Sequence, residues 1–365
     1  MKSVMRGMAI MMIVMLAAYV AANYYIYVRL SGAMPQMSTM ARVAIATLYW
    51  FMSVALILSF LARDILPDTP QRILFAVGSV WLVFVLYMTL ATLLADAIHH
   101  LYPALRGGVW YALALTIVIL IGGYINYRHP RVERITIHSP KYDAAKPLRI
   151  ALISDIHLGY GTDRADLARY VDMLNAERPD VVLIAGDLID NTTRPVAKEN
   201  MLAEFERIEA PYGIFMAAGN HEYISNIDSC QRLLAASRIT LLRDSMARLD
   251  CGVQIIGRDD RTNRHRKPLE ELVAEADASR PIIVLDHQPY DIAQSDRLGV
   301  DIHLSGHTHR GQIWPLSWLT DAMYDQSHGY RKWTTTHAYV SSGLSLWGPP
   351  IRIGTHSDMA IIEVK

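Results

Sequence analysis

The sequence predicts a helical membrane region followed by an α/β domain, and three observations support this prediction. The first 128 residues contain long uncharged stretches and hold only eight of the 35 Lys and Arg residues. The same segment holds three of the 35 acidic residues, so the rest of the chain has the composition of an ordinary globular domain. In that second part short apolar runs alternate with segments of helical spacing. We therefore expect two packed sheets with helices outside, a four-layer α/β/β/α sandwich.

Four uncharged stretches of 20 or more residues are long enough to cross a hydrocarbon core of about 30 Å as helices. They are residues 8–28, 43–62, 73–95 and 107–127. The first stretch also fits a secretory signal peptide, because basic residues precede it and Val20-Ala21-Ala22 is an acceptable cleavage site. Four transmembrane helices remain the simplest prediction.

Basic residues near the ends of these stretches predict the orientation, because cytoplasmic flanks are enriched in Lys and Arg. With both termini inside, the cytoplasmic flanks hold Lys2, Arg6, Arg63, Arg72, Arg128, Arg131, Arg134 and Lys141. The outer flanks hold Arg29, Arg42 and Arg106. We therefore expect the globular domain in the cytoplasm.

The domain boundaries follow from the same pattern. We expect a transmembrane domain at 1–128, a linker with a first strand at 129–147, and a catalytic domain at 148–365. The formal net charge is zero, so no basic excess is present to neutralise phosphates and we expect no nucleic-acid partner. Cys230 and Cys251 lie outside any metal-binding or redox spacing, which favours free thiols over a disulfide.

The elements of the second part alternate between the two periodicities. Helical spacing places Leu167, Tyr170, Val171 and Leu174 on one face, and Pro179 ends that helix. The predicted helices are 164–178, 195–208, 229–236, 269–278 and 291–298. The predicted strands are 132–138, 148–154, 181–185, 212–217, 246–249, 253–257, 281–286, 301–304, 338–341, 351–353 and 359–364.

Five of the apolar runs end in side chains that bind metal ions. Asp155 and His157 stand two positions apart, so in an extended chain they point to the same side. The others are Asp187, Asn220, His287, His307 and His309. Sites in α/β sheets form where the carboxyl ends of strands meet, so we expect one site from five loops. Taken alone, Asp155 could also cap a helix and His287 could be a core histidine. The seven residues taken together favour a metal site.

The number and chemistry of these side chains predict two metal ions. Carboxylates, imidazoles and an amide suit Mn, Fe, Zn or Co better than Ca or Mg, which prefer oxygen ligands alone. Seven ligands are too many for one closed tetrahedral site. Two ions that share a carboxylate would use all seven, and such pairs are the usual device for displacement at phosphorus.

The motifs around these ligands resemble, in the right order, the five blocks of the calcineurin-like metallophosphoesterases. The blocks are Asp155-Ile156-His157, Gly186-Asp187, Gly219-Asn220-His221-Glu222, Asp286-His287 and Gly306-His307-Thr308-His309. The resemblance covers residues 148–310, and the following Gly311-Gln312 is similar to the bacterial membrane-associated branch. It implies a protein of the bacterial inner membrane. Arg310 stands where the family often has glycine, so its role is open.

The resemblance implies a role for each of these residues. Asp155, His157 and His309 would bind one metal, Asn220, His287 and His307 the other, and Asp187 both. A metal-bridging hydroxide would be the nucleophile. His221 would steady the phosphoryl group or protonate the leaving oxygen, with Asp155 as its orienting partner, whereas Glu222 and His303 are expected to be structural.

Residues beyond the motifs are candidates for contact with the substrate. They are Arg310, Trp314 in the apolar segment 313–319, and Arg352. The histidines His328, His337 and His356 are alternatives, and we expect the charged segment 258–267 to be a solvated loop. Segment 313–319 fits either the bilayer interface, an acyl chain, or local packing against Trp333 and Trp347.

We therefore expect a membrane-tethered phosphohydrolase that acts on a phosphorylated, lipid-linked or membrane-proximal substrate. A second hypothesis is a hydrolase of soluble cyclic nucleotides or phosphoproteins for which the helices are only an anchor. A third is a membrane sensor or binding module that retains the fold without turnover. The complete ligand set favours an enzyme over the third.

Overall fold

The computed structural model describes residues 2–63, 65–104, 107–142 and 145–365, and the side chains from residue 10 onward within these ranges. Arg106 and the side chains of Lys2 and Arg6, which enter the predicted orientation, lie outside the described residues. The chain divides into two compact units, Met1–Tyr124 and Ile125–Lys365.

Unit 1 consists of long apolar helices. They are α1 (Lys2–Gly32), α2 (Thr39–Ala62), α3 (Asp68–Leu101) and α4 (Gly108–Tyr127), the last of which continues into the next unit. The described parts of these four are long and apolar enough to cross a membrane, with mean hydropathy between 1.7 and 2.3. The four predicted spans are therefore confirmed as helices of spanning length.

Polar side chains inside unit 1 are paired with one another. The indole Nε1 of Trp81 donates to Asn23 Oδ1 at 3.1 Å, and the hydroxyl of Tyr49 donates to the carbonyl of Asn23 at 2.9 Å. Asp96 accepts from Tyr25 at 2.6 Å and forms an ion pair with Arg29. Such pairing is required where no water is present to satisfy polar groups.

Unit 2 contains two six-stranded sheets. The first has the order β1 (Arg131–Ile137), β12 (Asp358–Val364), β2 (Leu148–Ile153), β3 (Val181–Ala185), β4 (Ile214–Ala217) and β5 (Ile239–Leu242). The second has the order β10 (Gly329–Lys332), β11 (His337–Val340), β9 (Ile302–Ser305), β8 (Ile282–Leu285), β7 (Gln254–Gly257) and β6 (Ser245–Arg248). Strands β2 to β5 are parallel, and so are β7, β8, β9 and β11.

Unit 2 also contains helices beside these two sheets. They are α5 (Arg164–Ala176), α6 (Arg194–Lys198), α7 (Asn220–Ile224), α8 (Ile227–Ala235), α9 (Leu269–Ala274), α10 (Ile292–Arg297) and α11 (Leu316–Met323), with 3-10 turns at Met201–Arg207 and His309–Gly311. Alternation along β2 places Ile150 and Leu152 in a core shared by both sheets, whereas Ala151 and Ile153 face the cluster that contains α5. The four-layer sandwich is confirmed.

The structure corrects several predicted elements. The predicted helix 195–208 is interrupted at Asn200, whose φ of 47° ends α6 before the 3-10 turn begins. The predicted strand 351–353 is no strand, because only an isolated bridge joins Ile353 to Ile313. Strands β5 and β10 and helices α7 and α11 were not predicted. Each is at most eight residues long, too short for a clear periodic pattern.

Candidate metal centre

The seven predicted ligands follow the carboxyl ends of five parallel strands, so the sheet topology brings them together. Nε2 of His309 lies 3.4 Å from Oδ1 of Asp155. The Nε2 atoms of His157 and His309 lie 3.2 Å apart. Nε2 of His157 is 3.8 Å from Asp187 Oδ2. These atoms form the first half of the centre.

The second half is arranged around His287. Its Nε2 lies 3.1 Å from both Asp187 Oδ2 and Asn220 Oδ1, and 3.3 Å from Nδ1 of His307. Oδ2 of Asp187 therefore approaches a histidine of each half. This is the position that a carboxylate shared by two ions needs.

The atoms that converge here are almost all acceptors. Nδ1 of His287 lies 2.7 Å from the carbonyl of Ala185, which makes Nδ1 the donor and leaves Nε2 of the neutral ring as a lone pair. That lone pair faces the Asp187 carboxylate and the oxygen of Asn220, an arrangement that only a positive charge stabilises. Burial lowers the pKa of His287, but the charge of Asp187 outweighs it and raises this pKa well above its usual value.

The spacing of the nitrogens also fits a metal ion. Two nitrogens bound tetrahedrally at about 2.0–2.1 Å lie about 3.3 Å apart, close to the 3.2 Å between His157 and His309 and the 3.3 Å between His287 and His307. Burial, followed by the charge of His287, lowers the pKa of His307 to about 4, so its ring is neutral as a ligand must be. The residues present therefore fit a pair of cations.

Three groups of possible metal ligands share members, and together they include one side chain beyond the seven predicted ligands. Ligand atoms within 4.8 Å of one another occur in Asp155, His157 and His309, in His157, Asp187 and His221, and in Asp187, His287 and His307. His221, predicted to act outside the ligand set, thus lies next to two of the predicted ligands.

The backbone of the ligands is unusual. Asp155, His157, Asp187, His307 and His309 all have φ between 46° and 71°. This left-handed conformation is uncommon for residues other than glycine and is stabilised only by the surrounding structure. The sharp turns direct the side chains of consecutive loops toward one point.

Glycines next to the ligands permit the close approach of the loops. Gly186 has a φ of 80°, and a Cβ there would lie 2.6 Å from Nδ1 of His287. A Cβ on Gly219 would overlap the Asp187 carboxylate. Any larger residue would push apart the loops after β3, β4 and β8.

Glu222 holds two of these loops in place. Its carboxylate accepts hydrogen bonds from the backbone N–H groups of Asp187 at 3.0 Å, Ile189 at 3.0 Å and Gly219 at 2.7 Å. The structural role predicted for Glu222 is therefore confirmed. His303 is likewise a core residue, buried between the hydroxyls of Ser295 and Ser305.

The carboxylate beside His221 is Asp190, a residue that the sequence prediction missed. Oδ1 of Asp190 lies 3.0 Å from Nδ1 of His221 and 3.4 Å from Nδ1 of His157. Burial lowers the pKa of His221, but Asp190 outweighs it and the pKa is raised. Asp155, the predicted partner, is directed at His309 instead. The sequence contained one sign of Asp190, a second aspartate three positions after Asp187.

Arg352, which was predicted as a substrate contact, lies in the interior of the domain. It is fully buried, and its guanidinium donates to the carbonyls of His309 at 2.6 Å and of Ser342, Gly343 and Ser345. Burial lowers the pKa of Arg352 to about 10. Its role is to join the His309 loop to the segment before β12.

Arg310 lines a cavity of about 250 Å³ beside β1 and β10. The other side chains that line it include Arg131, Glu133, His328 and His356. Two of the alternative histidines thus lie in the same cavity as Arg310. His337 instead stacks against Tyr330, with 6.0 Å between the ring centroids.

The segment 258–267 is only in part the solvated loop that was predicted: residues 261, 262, 264, 265 and 267 are exposed, whereas its first three residues are not. Arg258, Asp259 and Asp260 are buried. Arg258 and Arg266 form ion pairs with Asp286 and Asp291, at distances from 2.7 to 3.3 Å. This network lies directly before the ligand His287 and fixes the end of β8.

Aromatic contacts describe part of the surroundings of segment 313–319, for which packing against Trp333 and Trp347 was one of three alternatives. The ring of Trp314 lies edge-on to Trp318, with centroids 5.4 Å apart. Trp333 packs against the cluster of Ile292, Ala338 and Val340, while the ring of Trp347 is 6.4 Å from His221. Cys230 and Cys251 are free, as predicted.

A two-sheet sandwich with carboxylates and imidazoles at its strand ends defines a metal-dependent hydrolase. A family model described as calcineurin-like phosphoesterase matches residues 148–311. An uncharacterized metallophosphoesterase of Campylobacter jejuni is 31% identical over 372 residues, 96% of this chain and 97% of that protein. An uncharacterized metallophosphoesterase of Helicobacter pylori strain J99 is 32% identical over 70% of both chains.

The name of a vertebrate relative mentions both this domain and a transmembrane region. The transmembrane protein with metallophosphoesterase domain of Danio rerio is 33% identical over 273 residues, 70% of this chain and 62% of that protein. The chain belongs to the calcineurin-like metallophosphoesterases and is a metal-dependent phosphoester hydrolase.

Proposed function

We propose that this protein is a membrane-tethered hydrolase that uses two divalent ions to cleave phosphoester or phosphoanhydride bonds in lipid-linked or membrane-proximal substrates. The observation that supports it most is the convergence of acceptor atoms on Asp187 Oδ2, between His157 and His287. Asp155, His157 and His309 would hold one ion, and Asn220, His287 and His307 the other. The donor set suits Mn, Fe or Zn.

When bound, two such ions supply a nucleophilic hydroxide near neutral pH and offset negative charge on the phosphoryl oxygens. The side chains of this protein supply the rest. Oδ1 of Asp190 lies 3.0 Å from Nδ1 of His221, and its negative charge would keep that ring protonated with Nε2 available to the substrate. A protonated Nε2 then donates its proton to the leaving oxygen.

Four helices of spanning length in the same chain support a substrate that the bilayer presents. The proposal includes the bacterial inner membrane as the location, with the catalytic domain, residues 148–365, in the cytoplasm. The basic flanks of the helices support this orientation.

A substrate panel tests the proposed function on the full chain in lipid nanodiscs with Mn²⁺. The panel contains a lipid phosphate, a lipid diphosphate, a cyclic nucleotide, a phosphopeptide and an aryl phosphate. We expect the highest kcat/KM for a lipid substrate, by at least about tenfold. A preference for the soluble compounds would favour a simple anchor instead.

The variant Asp187→Asn serves as the inactive control, and Asp172→Asn, an exposed side chain on α5, as the matched one. We expect turnover to be lost in the first and kept in the second. Unchanged hydrolysis of the aryl phosphate by Asp187→Asn would support a binding module without metal-dependent turnover.

A further inference from the structure

Helix α11 is oriented with its apolar side chains outward. Leu316, Trp318, Leu319 and Met323 are 45%, 66%, 60% and 59% exposed, whereas the polar Ser317 is 7% exposed. A helix on the surface of a soluble domain normally buries its apolar face and exposes its polar one. Helix α11 exposes these four apolar side chains alongside the charged Asp321, and such an exposed apolar cluster indicates a surface that contacts an apolar environment.

The exposed surface extends from α11 toward the metal centre. Trp314, which is 40% exposed, precedes α11, and its backbone N–H donates to the carbonyl of Ile353 at 2.8 Å. The side chain of Gln312 donates to the carbonyl of Pro349 at 2.8 Å. These bonds join the segment to the loop of Trp347, which is 36% exposed and lies beside His221. We call Trp314, Leu316, Trp318, Leu319 and Met323 the tryptophan surface.

The composition and surroundings of this surface favour a bilayer over another protein. Tryptophan is enriched where membranes meet water, and short helices with an outward apolar face lie in that interface. Arg331 and Lys332 on β10 are exposed, and Arg331 donates to the carbonyl of Asp325, two residues beyond the end of α11. Such cations attract anionic headgroups. The spanning helices of the same chain keep a bilayer within reach.

We propose that the tryptophan surface inserts into the headgroup and upper acyl region of the bilayer. The insertion holds the metal centre at the depth of lipid phosphates, so that a phosphoester enters from the membrane side while its acyl chains stay in lipid. This inference rests on the proposed function for its consequence in catalysis. The contact with the bilayer can be tested whether or not the protein hydrolyses a lipid.

Fluorescent labelling tests the contact directly. Leu319→Cys is labelled with an environment-sensitive fluorophore in the full chain, in a Cys251→Ser background where Cys230 is buried. The protein is reconstituted into nanodiscs of phosphatidylethanolamine and phosphatidylglycerol. We expect a blue-shifted emission and strong quenching by lipids that carry a nitroxide near the headgroup. A label at Glu275→Cys, an exposed residue after α9, is the control and should be quenched little.

Each other outcome of the labelling contradicts the proposal. Equal, weak quenching at positions 319 and 275 would mean that the surface stays in water. A blue shift without quenching by nitroxide lipids would mean that a second copy or another part of the chain covers it.

An activity measurement separates this inference from the proposed function. In the double variant Trp318→Ser, Leu319→Ser we expect kcat/KM for a lipid phosphate in nanodiscs to fall at least about tenfold, with the aryl phosphate unchanged. Ile224→Ser, an exposed apolar residue outside the tryptophan surface, should change neither. An equal loss for both substrates would contradict insertion. If no lipid phosphate is hydrolysed at all, the proposed substrate class is wrong, and the quenching at position 319 still decides the contact.

Discussion

Five of the seven proposed metal ligands have a backbone conformation that most residues avoid. Each left-handed residue costs of order 1 kcal/mol, and among non-glycine types asparagine, aspartate and histidine adopt this conformation most readily. In this chain the five are Asp155, His157, Asp187, His307 and His309. Two requirements therefore restrict the residue type at these positions. The side chain must carry an atom that binds the ion, and the backbone must adopt the turn that directs the side chain to the ion.

The sequence predicted these ligands because each follows an apolar strand, whereas it missed Asp190 and assigned another role to Arg352. Asp190 and Arg352 act through contacts between loops that are distant along the chain, 31 residues apart for Asp190 and His221 and 43 for Arg352 and His309. The pattern of apolar and polar residues in a single strand or helix does not predict such contacts. Arg352 was therefore interpreted as a substrate contact although it is buried.

Replacement of Asp190 by Asn tests its positioning role. The amide keeps the shape but removes the charge beside His221, so we expect kcat to fall roughly 10- to 100-fold, the range for losing such an outer partner. The loss should be larger for an alkyl phosphate, whose leaving oxygen needs a proton, than for p-nitrophenyl phosphate. Steady-state kinetics at saturating Mn²⁺ measure both. An equal loss for the two esters would instead indicate damage to the ligand His157, and Asp172→Asn should show no loss.

At the scale of elements, the loops after β2, β3, β4, β8 and β9 are fixed by buried polar groups behind the ligands. Glu222 joins the loops after β3 and β4, and Arg258 and Arg266 fix the loop after β8. Long strands and α5 were predictable from their periodicity. The short α11 was not, because eight residues are too few for a clear periodic pattern.

Replacement of Arg352 by Gln tests whether that residue is structural. Several carbonyls would lose their donor in the interior, and each unsatisfied buried group costs about 1–3 kcal/mol. We expect a loss of at least about 3 kcal/mol, which lowers the melting temperature by roughly 6–12 °C for a domain of this size. Thermal unfolding of the purified chain measures it, with the exposed Arg248→Gln as control. A raised KM with an unchanged melting temperature would restore the role in substrate contact.

At the scale of the whole molecule, the chain combines a hydrolase domain with helices of membrane-spanning length. The division between the two was visible in the sequence, because charge is nearly absent from the long stretches of the first 128 residues. The sequence supported a lipid-linked substrate only through these helices, because it does not show where exposed apolar side chains lie around the centre. The structure places Trp347 beside His221 and turns the tryptophan surface outward, which the linear order of residues did not reveal.

Metal content is the most direct test of two ions held by one shared carboxylate. The full chain and its Asp187→Asn variant are purified in detergent and dialysed with Mn²⁺. Their metal content is then measured by inductively coupled plasma mass spectrometry. We predict about two equivalents of metal per wild-type chain and one or fewer in the variant, with aryl phosphate hydrolysis lost in step. Two equivalents retained by Asp187→Asn, or a fully active wild type with one equivalent or fewer, would contradict a centre built around Asp187.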